Sequence, residues 1–194
     1  MKNLSTLIIA QIAALVTSVS AVPFSPYAWR LPSEESNLYF FGTPINAAGG
    51  KFYINRESST YCPDGVSGLD CSAFDGTGTS LEVNDDTTIG LVVTVPGGQP
   101  VYVAPDGSLS YTQAHSIYIP PGSIADGFAL PLAPHLGKPT LIFQGRTWYL
   151  CPVTPDETVD GIFQVFATPA ADNCVSTEIL GYPPAPGNVW QYTS

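Results

Sequence analysis

The chain has 194 residues, with 16 acidic and only 6 basic side chains, so its formal net charge at pH 7 is −10. This balance excludes nucleic acid and anionic membrane surfaces as partners, because both need clustered Lys and Arg side chains. The length suits one domain of ordinary size.

Residues 1–21 predict a secretory signal peptide. Lys2 supplies the positive start, residues 4–16 form an apolar run, and Val19-Ser20-Ala21 is a small-residue cleavage site. The apolar run is too short for a membrane span. We therefore expect cleavage after Ala21 and a secreted protein.

Residues 22–43 show no regular hydrophobic period. Pro23, Pro26 and Pro32 interrupt this stretch and stiffen it. We predict an extended, partly disordered N-terminal arm, which ends in a short strand over residues 38–41.

Residues 44–194 predict a β-domain of short strands separated by Gly and Pro turns. The strands are rich in β-branched and aromatic residues. They are predicted at 51–54, 80–83, 89–95, 116–119, 140–144, 147–150, 162–167, 178–180 and 189–192. Residues 100–112 predict a hairpin around Pro105-Asp106-Gly107, and residues 124–130 fit either a strand or a helical turn.

No window outside the signal segment has a helical period. The predicted fold class is therefore all-β, a single-domain β-sandwich or closed β-barrel of short antiparallel strands.

The four cysteines, Cys62, Cys71, Cys151 and Cys174, follow a secretion signal. An even number in an oxidising compartment predicts two disulfides. Four cysteines allow three pairings, and we favour the local one, Cys62 with Cys71 and Cys151 with Cys174, over a pairing that links the two halves.

The residue types needed for catalysis are sparse and scattered. His115 has Ser110, Ser116 and Asp106 as candidate partners for a hydrolase, but no GxSxG motif is present. The acidic residues are predicted to form turns and solvated loops rather than a facing catalytic pair. A calcium loop at residues 156–161 lacks the EF-hand pattern. We predict no enzyme activity, no cofactor and no metal.

The aromatic residues are the strongest binding signal. Ten Tyr, nine Phe and three Trp are more than one small core requires. Exposed Tyr and Trp rings on a surface with few charges are typical of a sugar-stacking face. The candidate carbohydrate-contacting residues are Tyr102, Tyr111, Tyr118, Trp148 and Trp190.

Five short sequence segments follow one another along the chain. They are GGKFYI at 49–54, TYCP at 60–63, VPGGQ through YTQAHS at 95–116, QVFA at 164–167 and VWQYT at 189–193. Through these segments the chain resembles, from Pro44 to its C-terminus, the phiA family of secreted cell-wall proteins of filamentous fungi, also known as an IgE-binding family.

The resemblance implies a non-enzymatic structural or surface protein of the fungal cell wall. It implies a link to conidiation, that is, to phialide and spore wall development, and the ability to act as an allergen. The expected partners are wall polysaccharide or other wall proteins. A carbohydrate-binding module that recognises wall polysaccharide through exposed aromatic rings is the alternative.

Overall fold

Antiparallel strands make up nearly all the regular structure in this computed structural model, which describes residues 22–34, 36–153 and 158–194. The predicted signal peptide lies outside the described residues. The strands are β1 Ser25–Arg30, β2 Phe40–Pro44, β3 Asn46–Ala48, β4 Lys51–Ile54, β5 Thr60–Tyr61, β6 Leu81–Val83, β7 Ile89–Leu91, β8 Gln99–Val103, β9 Leu109–Tyr111, β10 Phe128–Ala129, β11 Leu132–Ala133, β12 Lys138–Phe143, β13 Trp148–Pro152, β14 Phe163–Phe166, β15 Val175–Tyr182 and β16 Gln191–Tyr192. One 3₁₀ turn covers Cys71–Ala73.

Fourteen of the described strands belong to one sheet. Its main path runs β10-β12-β15-β13-β14-β4-β9-β8-β7-β6, and β1, β2, β3 and β11 attach at its sides. β5 and β16 form a separate pair. No helix in the described ranges is long and apolar enough to cross a membrane.

A pair of hydrogen bonds closes the large sheet on itself. Phe24, the residue before β1, exchanges two backbone hydrogen bonds of 2.8 Å with Leu81 in β6. Since β1 also pairs with β15, the strands from β6 round to β1 form a ring. This ring matches the closed-barrel alternative of the predicted fold. Closure also reduces the number of unpaired strand edges.

The interior of the ring is one hydrophobic cluster. Strands from both ends of the chain contribute to it, and Phe52, Phe163 and Trp148 are among its largest fully buried side chains. Trp148 packs near Phe128 and Phe143, with ring centroids 6.3 and 6.0 Å away. Packing of this kind supplies most of the favourable free energy of folding.

The predicted hairpin at 100–112 is present as β8 and β9. Gly107, with φ +83°, occupies its turn and donates its N–H to the Ala104 carbonyl at 2.8 Å. Positive φ favours glycine, which has no Cβ. The local disulfide pairing is also confirmed, since Cys62 bonds Cys71 and Cys151 bonds Cys174.

The segment predicted as an arm is corrected by the structure. It is extended, but it lies within the sheet: β1 pairs with β15 on one edge and with β2 on the other. Ala28 is fully buried between them. Pro26 cannot donate a backbone hydrogen bond to a neighbouring strand. The burial of the apolar side chains around it offsets this loss.

Two strand predictions also need correction. Residues 116–119 form a loop rather than a strand, and Ile117 at its tip is 90% exposed. The turn at His115, with φ +63°, and the two prolines at 120 and 121 stop strand pairing there. The strand predicted at 178–180 is much longer, because β15 covers Val175–Tyr182.

Candidate functional site

Three of the five predicted carbohydrate-contacting residues are core residues. Tyr102, Tyr111 and Trp148 are buried. The Trp148 indole donates its N–H to the Leu141 carbonyl at 2.8 Å, and the Tyr111 hydroxyl donates to the Thr193 carbonyl at 2.5 Å. Burial raises the pKa of Tyr111 to about 12. These residues do not form an exposed face, so the prediction is wrong for them.

The other two predicted residues differ in their exposure. Tyr118 is 69% exposed, in the loop that follows His115. Trp190 is half-buried and packs its ring edge-on against Phe74, with centroids 5.3 Å apart. Since three of the five rings are buried, the five do not form one exposed face.

A different group of aromatic rings lies exposed on the outer side of β1 and β2. Trp29 and Phe41 have ring centroids 5.5 Å apart, and Tyr39 follows at 5.2 Å from Phe41. Phe41 is 54% and Tyr39 44% exposed, and Trp29 is half-buried. We call these three residues the aromatic face.

The strand pairing explains why these rings face solvent. Trp29 in β1 lies directly opposite Phe41 in β2, and residues opposite each other in an antiparallel pair project to the same side. Phe40, one residue earlier, points the other way into the core and is 2% exposed. An irregularity between Ala28 and Trp29 shifts the register by one residue and sets this alternation.

Polar groups border the aromatic face on the β15 side. Glu178 lies opposite Trp29, and its Oε1 is 3.0 Å from His135 Nε2. A groove of about 350 Å³ runs between Trp29, this pair and Thr147. A flat ring beside hydrogen-bonding groups is an arrangement that can stack on a sugar and hold its hydroxyls.

Arg30 fixes the edge of this groove. Its guanidinium donates to the carbonyls of Leu38 and Ser176, at 3.2 and 2.8 Å, and to the Ser33 hydroxyl at 3.2 Å. A guanidinium that satisfies several carbonyls holds its neighbours rigidly. It thereby ties the loop before β2 to β15 and positions the aromatic face.

Lys51 lies beside two serines on β9 and the preceding turn. Its Nζ donates to Ser108 Oγ at 2.6 Å and to Ser110 Oγ at 3.0 Å, and Ser108 Oγ donates to Asp106 at 2.6 Å. Burial opposes ionisation of Asp106, but the Ser108 hydrogen bonds and Lys51 outweigh it and lower the pKa of that carboxyl. Both serine side chains are buried, so neither hydroxyl faces solvent.

The structure does not assemble the histidine arrangements considered from the sequence. His115 lies exposed in a turn, and within the described ranges no hydrogen bond joins it to Ser110 or Asp106. In that same part of the chain no three His, Cys, Asp or Glu side chains lie close enough to hold a metal ion. Asp156 and Glu157 of the calcium loop lie outside the described residues.

Comparison with known proteins finds a relative in the fungus Arthroderma benhamiae, where it is described as an uncharacterized secreted protein. The two chains are 39% identical over 165 residues, which cover 77% of this chain and 77% of the relative. No protein-family model matches the chain. No solved structure matches it.

Proposed function

Because this chain belongs to the same family of fungal secreted proteins as its Arthroderma benhamiae relative, we propose that it binds wall polysaccharide outside the cell without catalysing a reaction. The observation that carries the proposal is the row formed by the exposed rings of Tyr39 and Phe41 and the half-buried ring of Trp29, beside the Glu178–His135 pair. Large aromatic rings are mostly buried, so two exposed rings in contact with each other and with the accessible part of a third favour a ligand.

The proposed location and biological role rest on the resemblance of five short sequence segments to the phiA family. We propose on that basis that the protein resides in the cell wall, takes part in conidiation and can bind IgE as an allergen. A polysaccharide-binding face would supply the means of retention in the wall.

The charge of the chain supports a neutral polymer as partner. With a net charge of −10, the protein repels polyanions, and its aromatic face carries no ionic group among its three members. Stacking on the apolar face of a neutral sugar ring needs no charge. We propose β-glucan or chitin rather than an acidic polymer.

The non-enzymatic part of the proposal is supported by the surroundings of the hydroxyl groups. A nucleophile must reach its substrate, but Ser108 and Ser110 beside Lys51 are buried. The Ser116 hydroxyl accepts the backbone N–H of Tyr118 at 3.1 Å, which is a turn-forming role.

The test is a pull-down of the secreted, oxidised protein on insoluble β-glucan, chitin and intact cell wall. We expect saturable binding to at least one polymer. Trp29→Ala and Phe41→Ala should each weaken it about tenfold, since a lost stacking contact is worth ~1.5 kcal/mol.

Tyr118→Ala is the matched control, because it removes an exposed ring far from the aromatic face in sequence and should bind like the wild type. Melting temperatures establish that all variants are folded. Equal retention of every variant, or retention of none of the proteins on any polymer, would overturn the proposal. Retention on intact wall alone would point instead to links with other wall proteins.

A further inference from the structure

A second groove opens beside Val22 and is separate from the aromatic face. Its volume is about 940 Å³, near the upper end for small-molecule sites. Phe24 and Phe128 are its most deeply buried aromatic side chains, and both belong to the core. The half-buried side chains of Val83 and Leu130 also line it, so apolar surface dominates.

The rim of this groove carries a cation without an ionic partner. Lys138 is exposed, and its Nζ lies 4.9 Å from the centroid of the Tyr182 ring. Among the described residues no carboxylate lies within 4.0 Å of this ammonium group. The lining also includes one acid, Asp85. Cleavage after Ala21, as the sequence predicts, adds the α-ammonium of Val22, so cations outnumber acids at the groove.

A constrained backbone lies at the same groove. Thr87 lines it with φ +64°, a conformation that β-branched residues rarely adopt. Two hydrogen bonds of 3.0 Å hold it there, from the Gly127 N–H to Thr87 Oγ1 and from the Phe128 N–H to the Thr87 carbonyl. Backbone of this kind clusters at ligand sites.

We propose that this groove binds a single-chain anionic amphiphile, of the class of long-chain fatty acids. The alkyl chain lies over Phe24 and Phe128, between Val83 and Leu130. The carboxylate lies at the rim, beside Lys138 and the mature N-terminus. A sugar fits this groove less well, because its lining offers mainly aliphatic and buried aromatic surface rather than exposed flat rings.

The first experiment titrates oleate, below its micellar concentration, into the secreted protein whose N-terminus has been verified by mass spectrometry. We expect saturable binding of one oleate per chain. Val83→Trp and Leu130→Trp fill the groove from half-buried positions and should each weaken binding at least about tenfold.

Val93→Trp is the matched control. Val93 is also half-buried against the core, but it does not line this groove, so the variant should bind oleate like the wild type. Absence of saturable binding by a folded wild-type protein, or equal binding by all three Trp variants, would overturn the proposal.

The second experiment tests the charge. Lys138→Ala should weaken oleate binding about three- to fivefold, as expected for a partly exposed ion pair, and leave oleyl alcohol binding unchanged. Arg146→Ala removes a cation that does not line the groove and should have no effect. Oleyl alcohol binding as tightly as oleate would overturn the anionic class of ligand. Because neither experiment involves polysaccharide, their outcome is independent of the aromatic face.

Discussion

Trp148 is the largest side chain that the described structure buries completely. It fills the space near Phe128 and Phe143 and also supplies the hydrogen bond to Leu141. We predict that Trp148→Phe lowers the free energy of unfolding by ~2–3 kcal/mol, because it leaves a void and removes the indole hydrogen bond to the Leu141 carbonyl. Urea unfolding measures this change.

Tyr118→Phe serves as the control for this prediction. The side chain is 69% exposed, so its variant should stay within ~0.5 kcal/mol of the wild type. A Trp148→Phe protein as stable as this control would contradict the burial of the indole.

Tyr111 and Tyr192 give the protein a dependence on alkaline pH. Burial raises the pKa of each phenol to about 12, from an ordinary value of 10.0. The folded state therefore holds these protons more tightly than the unfolded state. The stability they contribute is complete below pH 10 and is lost as the pH rises from 10 towards 12.

The measurement is an ultraviolet titration of tyrosinate, together with unfolding at several pH values. The Tyr111→Phe/Tyr192→Phe double variant should lack two tyrosines of absorbance change near pH 12. Its stability should fall less steeply between pH 10 and 12 than that of the wild type. A titration identical to the wild type would refute the assignment.

Single residues show where sequence reasoning succeeds and where it stops. The turn at Gly107 could be predicted, because Pro105-Asp106-Gly107 encodes its own geometry. The burial of Tyr102 and the exposure of Phe41 could not, because both depend on which strand covers which face. Excess aromatic residues indicate that a face exists but not where it lies.

At the scale of elements, β1 changes the interpretation of the N-terminal region. The sequence there has no regular hydrophobic period, and its prolines favour an extended arm. The pairing with β15, far away in sequence, decides the matter. A pairing between strands so far apart in sequence cannot be inferred from a short window of residues.

Ala28→Asp tests the position of β1. The side chain is fully buried between two neighbouring strands, so a carboxylate there would be desolvated without a partner. We expect a loss of at least ~3 kcal/mol, measured by thermal unfolding. Val22→Asp, at an exposed site six residues earlier, should be nearly neutral. An unchanged melting temperature for Ala28→Asp would show that this region is an arm outside the sheet rather than the strand β1.

The disulfide between Cys151 and Cys174 links β13 to the residue before β15. Its loop closes 23 positions, for which the chain-entropy model gives ~3 kcal/mol. We predict that Cys151→Ala/Cys174→Ala loses about this much stability in denaturant unfolding. The matched Cys62→Ala/Cys71→Ala variant, whose loop spans 9 positions, should lose less. The reverse order would contradict this account.

At the scale of the whole molecule, the proposed binding of polysaccharide by the aromatic face should not depend on the net charge of the protein. Binding through stacked rings should change by less than about twofold between ~0.05 and ~0.5 M sodium chloride, although the Debye length falls from about 14 to about 4 Å. Pull-downs at several salt concentrations test this. A steep loss with salt would show that charged groups, rather than the aromatic face, hold the polymer.

The class of fold could be predicted because short strands, Gly and Pro turns and an even cysteine count agree with one another. The choice between a sandwich and a closed barrel could not, because closure depends on the Phe24–Leu81 pair between distant segments. The candidate site was missed for the same reason: Trp29 and Glu178 become neighbours only when β1 meets β15.

The pairing of β1 with β15 also sets an order of events during synthesis. Arg30 and the Ser176 carbonyl to which it donates are 146 positions apart, so one edge of β1 stays open until most of the chain has been made. At about 5–20 residues per second this takes roughly 7–30 s. During that time β1 can pair only with β2, and its other edge offers free backbone groups to other chains, so the unfinished chain is the form most prone to aggregate.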